Sequence, residues 1–317
     1  EIYTFSLHDA LPISAVPHVP LYRGRRRRPT GRTLGRMSSS IDSFTSEVLS
    51  LELDGHVATL WLDRPEKRNA MGPAFWEDLP VAMAAIAAEP TVRAVVLAAR
   101  GPSFSVGLDL VAMGGAVMGA GGGGSQSTAA RAWRSRAQIV RMQASVTAVA
   151  DCAVPVIAAV QGHCIGGGVD LIAACDIRLA SADALFSVRE AKVAIVADIG
   201  SLQRLPAIIG RGHLAELAYT GKDIDAARAA AIGLVNAVSP DADAVVADAR
   251  ALAAEIAANS PLAVQGTKAV LVAGEGQTVA EGLDYVATWN AAFLASDDLT
   301  EAMTAFMEKR PATFTGG

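Results

Sequence analysis

The segment AVQGHCIGGGVDLIAACDIRLASADALFSVREAKVAIVADIGSLQRLP, residues 159–206, carries most of the information about architecture. It opens on the end of an apolar run, Val156 to Val160, with the length and branching of a strand buried on both faces. That run meets Gly162 and then Gly166-Gly167-Gly168, and an apolar helix starts there with Asp170 in its first turn. A strand that enters a helix through glycines leaves N–H groups without helical partners, at the end of the dipole that favours negative charge. Such a turn suits an oxyanion or enolate. It equally suits a tight strand-to-helix crossing, so the glycines alone leave both readings open.

The same alternation extends in both directions. VLSLELDGHVATLWLDRP (48–65) alternates apolar and polar residues around Asp54-Gly55 and predicts a β-hairpin. A helix follows over about 73–88, with Pro73 near its start, and RAVVLAAR (93–100) reads as another buried strand. GGAVMGAGGGGSQST (114–128) is too glycine-rich to hold one conformation and lacks a phosphate-loop pattern, so it reads as a mobile lid or linker. Helices are expected at about 129–151, 168–174 and 201–209, strands in CAVPVIAAVQG and LFSV, and a further strand–helix alternation from Ile224 to Pro240. Strands alternating with helices imply an α/β fold with largely parallel pairing over residues 47–242. From about residue 243 onward the pattern is helical with no strand runs, so 243–317 is expected to be a C-terminal helical region.

Three acids stand in apolar or small-residue surroundings: Asp170 in GGVDLIAA, Glu190 in FSVREAKV and Asp198 in IVADIGS. Burial raises a carboxyl pKa towards the range useful for general acid–base work. Each has a plain alternative: Asp170 as a dipole partner, Asp198 as a cap for the helix near Ser201, Glu190 as a surface ion pair with Arg189 or Lys192. Three together beside a glycine-rich anion site favour chemistry. His163 and Cys164 adjoin the turn, but strand neighbours point different ways, so a hydrolase triad is not expected.

IGGGVDLIAACDIR (165–178), FSVGLDL (104–110), LDRPEKRNAM (62–71) and EAMTAFMEKRPATF (301–314) together resemble the crotonase, or enoyl-CoA hydratase/isomerase, superfamily over residues 47 to 314. The resemblance implies a spiral of ββα units with a C-terminal helical trimerisation region, assembled as a homotrimer or a hexamer of two trimers. It implies an acyl-CoA thioester substrate and a place in fatty-acid β-oxidation. The oxyanion N–H groups would be those of Leu108 and Gly167. Val106, Asp109 and Leu110 would lie along the adenine end of coenzyme A, and Lys67, Arg68, Ala70 and Met71 along its pantetheine path. Asp170 followed by Glu190 and Asp198, with IVADIGSLQRLP (195–206), is similar to the Δ3,5-Δ2,4-dienoyl-CoA isomerase subgroup. There Glu190 and Asp198 would move protons at C2 and C6, and Asp170 would tune them. No metal or other cofactor is implied. Hydration of 2-enoyl-CoA by Asp170 and Glu190 is the rival reaction.

Of 317 residues, 51% are hydrophobic and 19% charged, which supplies a sizeable core. Residues 1–36 hold seven arginines against Glu1 and Asp9, a local +5, so the remainder carries −10 within the net −5. An acidic body is a poor nucleic-acid binder, although an oligomeric scaffold touching RNA through the Arg-rich tail is a non-catalytic alternative. The tail is expected to be a disordered extension, with Met37 as the true start. Cys152, Cys164 and Cys175 form no CxxC pair and suit the core of a protein in a reducing compartment. With no apolar span and no recognisable leader, a cytoplasmic location is expected.

Overall fold

The computed structural model describes residues 40–117 and 127–317. The expected basic tail therefore lies outside the described residues, as does the centre of the glycine-rich stretch. Nine strands occur among the described residues: β1 (Leu49–Asp54), β2 (Val57–Leu62), β3 (Ala94–Ala99), β4 (Val156–Val160), β5 (His163–Ile165), β6 (Ile177–Ser181), β7 (Leu185–Ser187), β8 (Ile224–Asp225) and β9 (Ala237–Ser239). Ten α-helices accompany them: α1 (Pro73–Ala87), α2 (Leu110–Val117), α3 (Thr128–Ala150), α4 (Gly167–Ala173), α5 (Ser201–Thr220), α6 (Ala226–Ala231), α7 (Ala242–Ala257), α8 (Pro261–Ala273), α9 (Val279–Phe293) and α10 (Asp297–Glu308).

A six-stranded sheet runs β1-β2-β3-β4-β6-β9, and a smaller one runs β5-β7-β8. The β1–β2 hairpin turns at Gly55 as its pattern predicts, and all other pairs in the large sheet are parallel. After each inner strand the chain makes a further short strand or bridge before entering a helix. β2 leads to the Met71–Leu108 bridge and α1, and β3 to the Ser105–Cys164 bridge, then α2 and α3. β4 leads to β5 and α4, and β6 to β7 and α5. This is the repeating ββα spiral that the resemblance implies.

The strands are apolar on both faces because both faces are covered. In β3, Val95, Leu97 and Ala99 join the larger core with α1, α3, α4 and α5, while Ala94, Val96 and Ala98 face α7 through Val245, Ala249 and Ala253. The change to all-helical structure near residue 242 is thus no gap in packing, since α7 is half of a core and the described residues belong to one compact unit. All three cysteines are buried and free. No described helix is long and apolar enough to cross a membrane.

Two expectations change. Residues 114–117 continue α2, and Ser127 caps α3 by accepting from Ala130 N at 3.2 Å, so both described ends of the supposed linker belong to helices. The helix expected to end at 209 does leave helical geometry at Gly210, with φ 77°, but a second stretch resumes and runs to Thr220.

Candidate active site

The glycine turn, the β3–α2 connection and the 190–199 segment enclose one cavity of about 430 Å³. One wall of it is backbone. Met71 N donates to Gly107 O at 2.8 Å and Asp109 N donates to Met71 O at 3.0 Å. A parallel bridge of this kind uses the groups on either side of Leu108, so the Leu108 N–H points the other way. Across from it, Gly166 N donates to Ser187 O at 2.9 Å, and Gly167, first residue of α4, holds one of the N–H groups that a helix start cannot satisfy. The Leu108 nitrogen lies 3.9 Å from where a Cβ would stand on Gly167, and both residues line the cavity.

Two glycines make that approach feasible. Gly107 has φ +81°, and a Cβ there would sit 2.7 Å from Ile165 O. A Cβ on Gly167 would sit 2.9 Å from Met71 Sδ. Met71 is fully buried beneath the turn, so its side chain supports the glycine rather than lining an open path for a ligand.

The facing wall carries the acids. Asp170, Glu190 and Asp198 all line the cavity, as the sequence suggests, among Ile139, Met142, Ile195 and Ile199. Asp170 is 1% exposed, and its Oδ1 accepts the Ser201 N–H at 2.5 Å. Burial lifts its pKa to about 6, against the opposing effect of the Ser201 bonds. Burial lifts Glu190 to about 7, aided by the charges of Asp170 and Asp198, and its Oε2 is buried without a partner. Asp198 is also raised, by burial. Oε1 of Glu190 lies 3.1 Å from the Cβ position of Gly166, which sets this acid beside the start of α4.

The residues expected along coenzyme A are less uniform. Val106 and Leu110 line the cavity. Lys67 and Arg68 are exposed on the adjoining loop, and Ala70 is half-buried. Asp109 is engaged within the protein: Oδ1 accepts from Ala112 N at 3.0 Å and Oδ2 pairs with Arg64 Nη1 at 2.9 Å. These bonds, the Ala112 one foremost, hold its pKa below the usual range. Sequence reasoning missed Asn69, whose buried side chain accepts from Arg64 N and donates to the carbonyls of Arg100 and Ser103, clamping the loop. It also missed Trp76 and the α3 residues Ile139 and Met142 as cavity walls, because their spacing is that of any core-facing helix.

The enoyl-CoA hydratase/isomerase family model matches residues 52–317. The chain belongs to this family. It is 44% identical over 256 residues to a mitochondrial Δ3,5-Δ2,4-dienoyl-CoA isomerase of Rattus norvegicus, covering 80% of this chain and 77% of that one. It is 42% identical to a peroxisomal Δ3,5-Δ2,4-dienoyl-CoA isomerase of Arabidopsis thaliana, covering 85% and 96%. Among solved structures, an enoyl-CoA hydratase from Bacillus anthracis superposes with a TM-score of 0.77 at 30% identity, covering 86% of this chain and all of that one. The expectation of a cytoplasmic location is overturned, since these similar isomerases are named mitochondrial or peroxisomal.

Proposed function

We propose that the protein isomerises 3,5-dienoyl-CoA to 2,4-dienoyl-CoA. The observation that carries this reading is the third carboxylate: Asp198 joins Glu190 and Asp170 on the wall of one largely apolar cavity. The names of relatives 42–45% identical to the chain support the same reaction.

In this reading the thioester oxygen accepts hydrogen bonds from the Leu108 and Gly167 N–H groups. A carboxylate removes a proton from C2, and the electron pair spreads over the oxygen, C2, C4 and C6. A protonated carboxyl delivers a proton to C6, leaving double bonds at C2 and C4. One proton leaves and one arrives, so nothing else is consumed and no cofactor beyond the substrate's coenzyme A is needed. The closeness of Glu190 to Gly166 supports Glu190 at C2, and Asp198 then serves C6. Two separated acids suit this better than hydration, in which a pair must grip one water. Asp170 is a poor half of such a grip because it is buried and already holds Ser201 N–H.

The deciding experiment offers purified enzyme both substrates. Ultraviolet absorbance of the conjugated 2,4-dienoyl thioester should rise rapidly with 3,5-dienoyl-CoA. Fast hydration of 2-enoyl-CoA with no diene shift would overturn the reading. We also propose a homotrimer or dimer of trimers, because α8–α10 expose Leu271, Leu283, Phe293, Met303 and Phe306, an apolar surface that a second copy would cover. Native mass spectrometry tests this, and a monomer at assay concentration would refute it.

A further inference from the structure

Asp198 sits in a segment, residues 195–200, that belongs to no helix or strand. Side chains from elsewhere fasten this segment. Gln143 of α3 donates from Nε2 to the Asp198 carbonyl oxygen at 2.6 Å. Arg204 of α5 donates from Nη1 to Ile199 O at 3.4 Å and from Nη2 to Thr147 Oγ1 at 3.0 Å, one turn along α3 from Gln143. Asp170 takes the Ser201 N–H. Gly200, with φ +136°, lies under the Arg204 guanidinium, where a Cβ would collide.

We infer that Gln143 is a positioning residue for the second proton transfer: its amide holds the Asp198 peptide and so sets where that carboxyl meets the far end of the bound diene. The inference rests on the isomerase reading above. Aspartate has a short side chain with two torsions, so its carboxyl follows its own peptide closely. A loop without ladder hydrogen bonds of its own depends on such outside contacts for precision. The same helix bears Ile139 and Met142 on the cavity wall, so α3 both lines the cavity and holds the loop of Asp198. The other half of the reaction does not use Gln143. Leu108, Gly167 and Glu190 are held by the β5–α4 turn, the bridge to Met71 and the 190–193 turn.

The defect should therefore be one-sided. Gln143→Leu keeps the bulk without the donor, and Gln143→Glu places an acceptor against an acceptor. With 3,5-dienoyl-CoA in D2O, both should lower kcat for diene formation by about 10²-fold, the typical effect of a misplacement near 1 Å. Exchange of the C2 hydrogen into solvent, read by NMR or mass spectrometry, should stay near the wild-type rate, and KM should change little. Loss of exchange and diene formation in equal proportion would mean a merely structural role and overturn the inference. So would retention of full diene formation in both variants. A wild-type enzyme that forms no diene would instead bring down the isomerase reading itself.

Discussion

The two walls of the cavity are built from different material. One wall, which the proposed reading gives to the thioester, is backbone: the N–H groups of Leu108 and Gly167 stand at a β-bridge and a helix start. The opposite wall is side chain: three carboxyls inside an apolar surround, each with its pKa raised by burial. On the proposed reading the backbone donors hold the thioester oxygen whatever the acyl group, and no side chain supplies them. Carboxyls select the reaction and are lost with a single atom change. Binding and chemistry should therefore separate under mutation.

The largest expected effect tests that separation. Glu190→Gln and Asp198→Asn should each lower kcat by about 10²–10⁴-fold, the usual worth of a general acid or base, with KM nearly unchanged. A parallel rise in KM would show that the acids also hold the thioester. On the opposite wall, Gly167→Ala should crowd Met71 Sδ and displace one oxyanion donor. We expect a loss of about 10²-fold in kcat from that change, accompanied by weaker binding of enolate-like inhibitors.

The pH profile sharpens the contrast. Proton removal needs one ionised carboxyl and delivery needs one protonated, so the Glu190–Asp198 pair is active while it carries a single proton. Activity should fall on the acid side as the second proton is added. It should also fall on the alkaline side, near 7, as the coupled pair loses its last proton, whichever of the two carboxyls holds it. Asp170→Asn removes a neighbouring negative charge and should move the alkaline limb to lower pH.

Asp170 also has a stability consequence. Its folded pKa, about 6, stands above the ordinary 3.8, so the native state binds this proton more tightly than the unfolded chain. That contribution is fully present below the unfolded value and is lost as pH rises through about 6. For a shift of this size the loss amounts to about 2–3 kcal/mol at most. Denaturant titrations of Asp170→Asn should show a flatter dependence between these two pH values, and an unchanged slope would refute the assignment. The smallest effect belongs to the exposed loop: Lys67→Ala and Arg68→Ala should raise KM a few-fold, more at low salt, with kcat unaltered.

Much of this was legible in the chain itself. The buried strands, the hairpin at Gly55 and the glycine-bounded start of α4 follow from local pattern, because a strand covered on both faces must be apolar throughout and a chain reversal needs permissive backbone. The three acids were conspicuous because carboxyls are rare in such surroundings. Other features had no local signature. Nothing in LDRPEKRNAM reveals that Asn69 clamps the loop, that Asp109 is spent on Arg64 and its own helix, or that Met71 lies beneath Gly167. Residues of α3 are patterned like any core helix, yet Ile139 and Met142 wall the cavity and Gln143 holds the loop of Asp198. The sequence by itself determined which strands are buried on both faces, which turns are tight and which acids stand out, since these depend on neighbours along the chain. Only the tertiary structure decided which N–H groups converge and which acids share a pocket, since those contacts join segments separated by tens of residues.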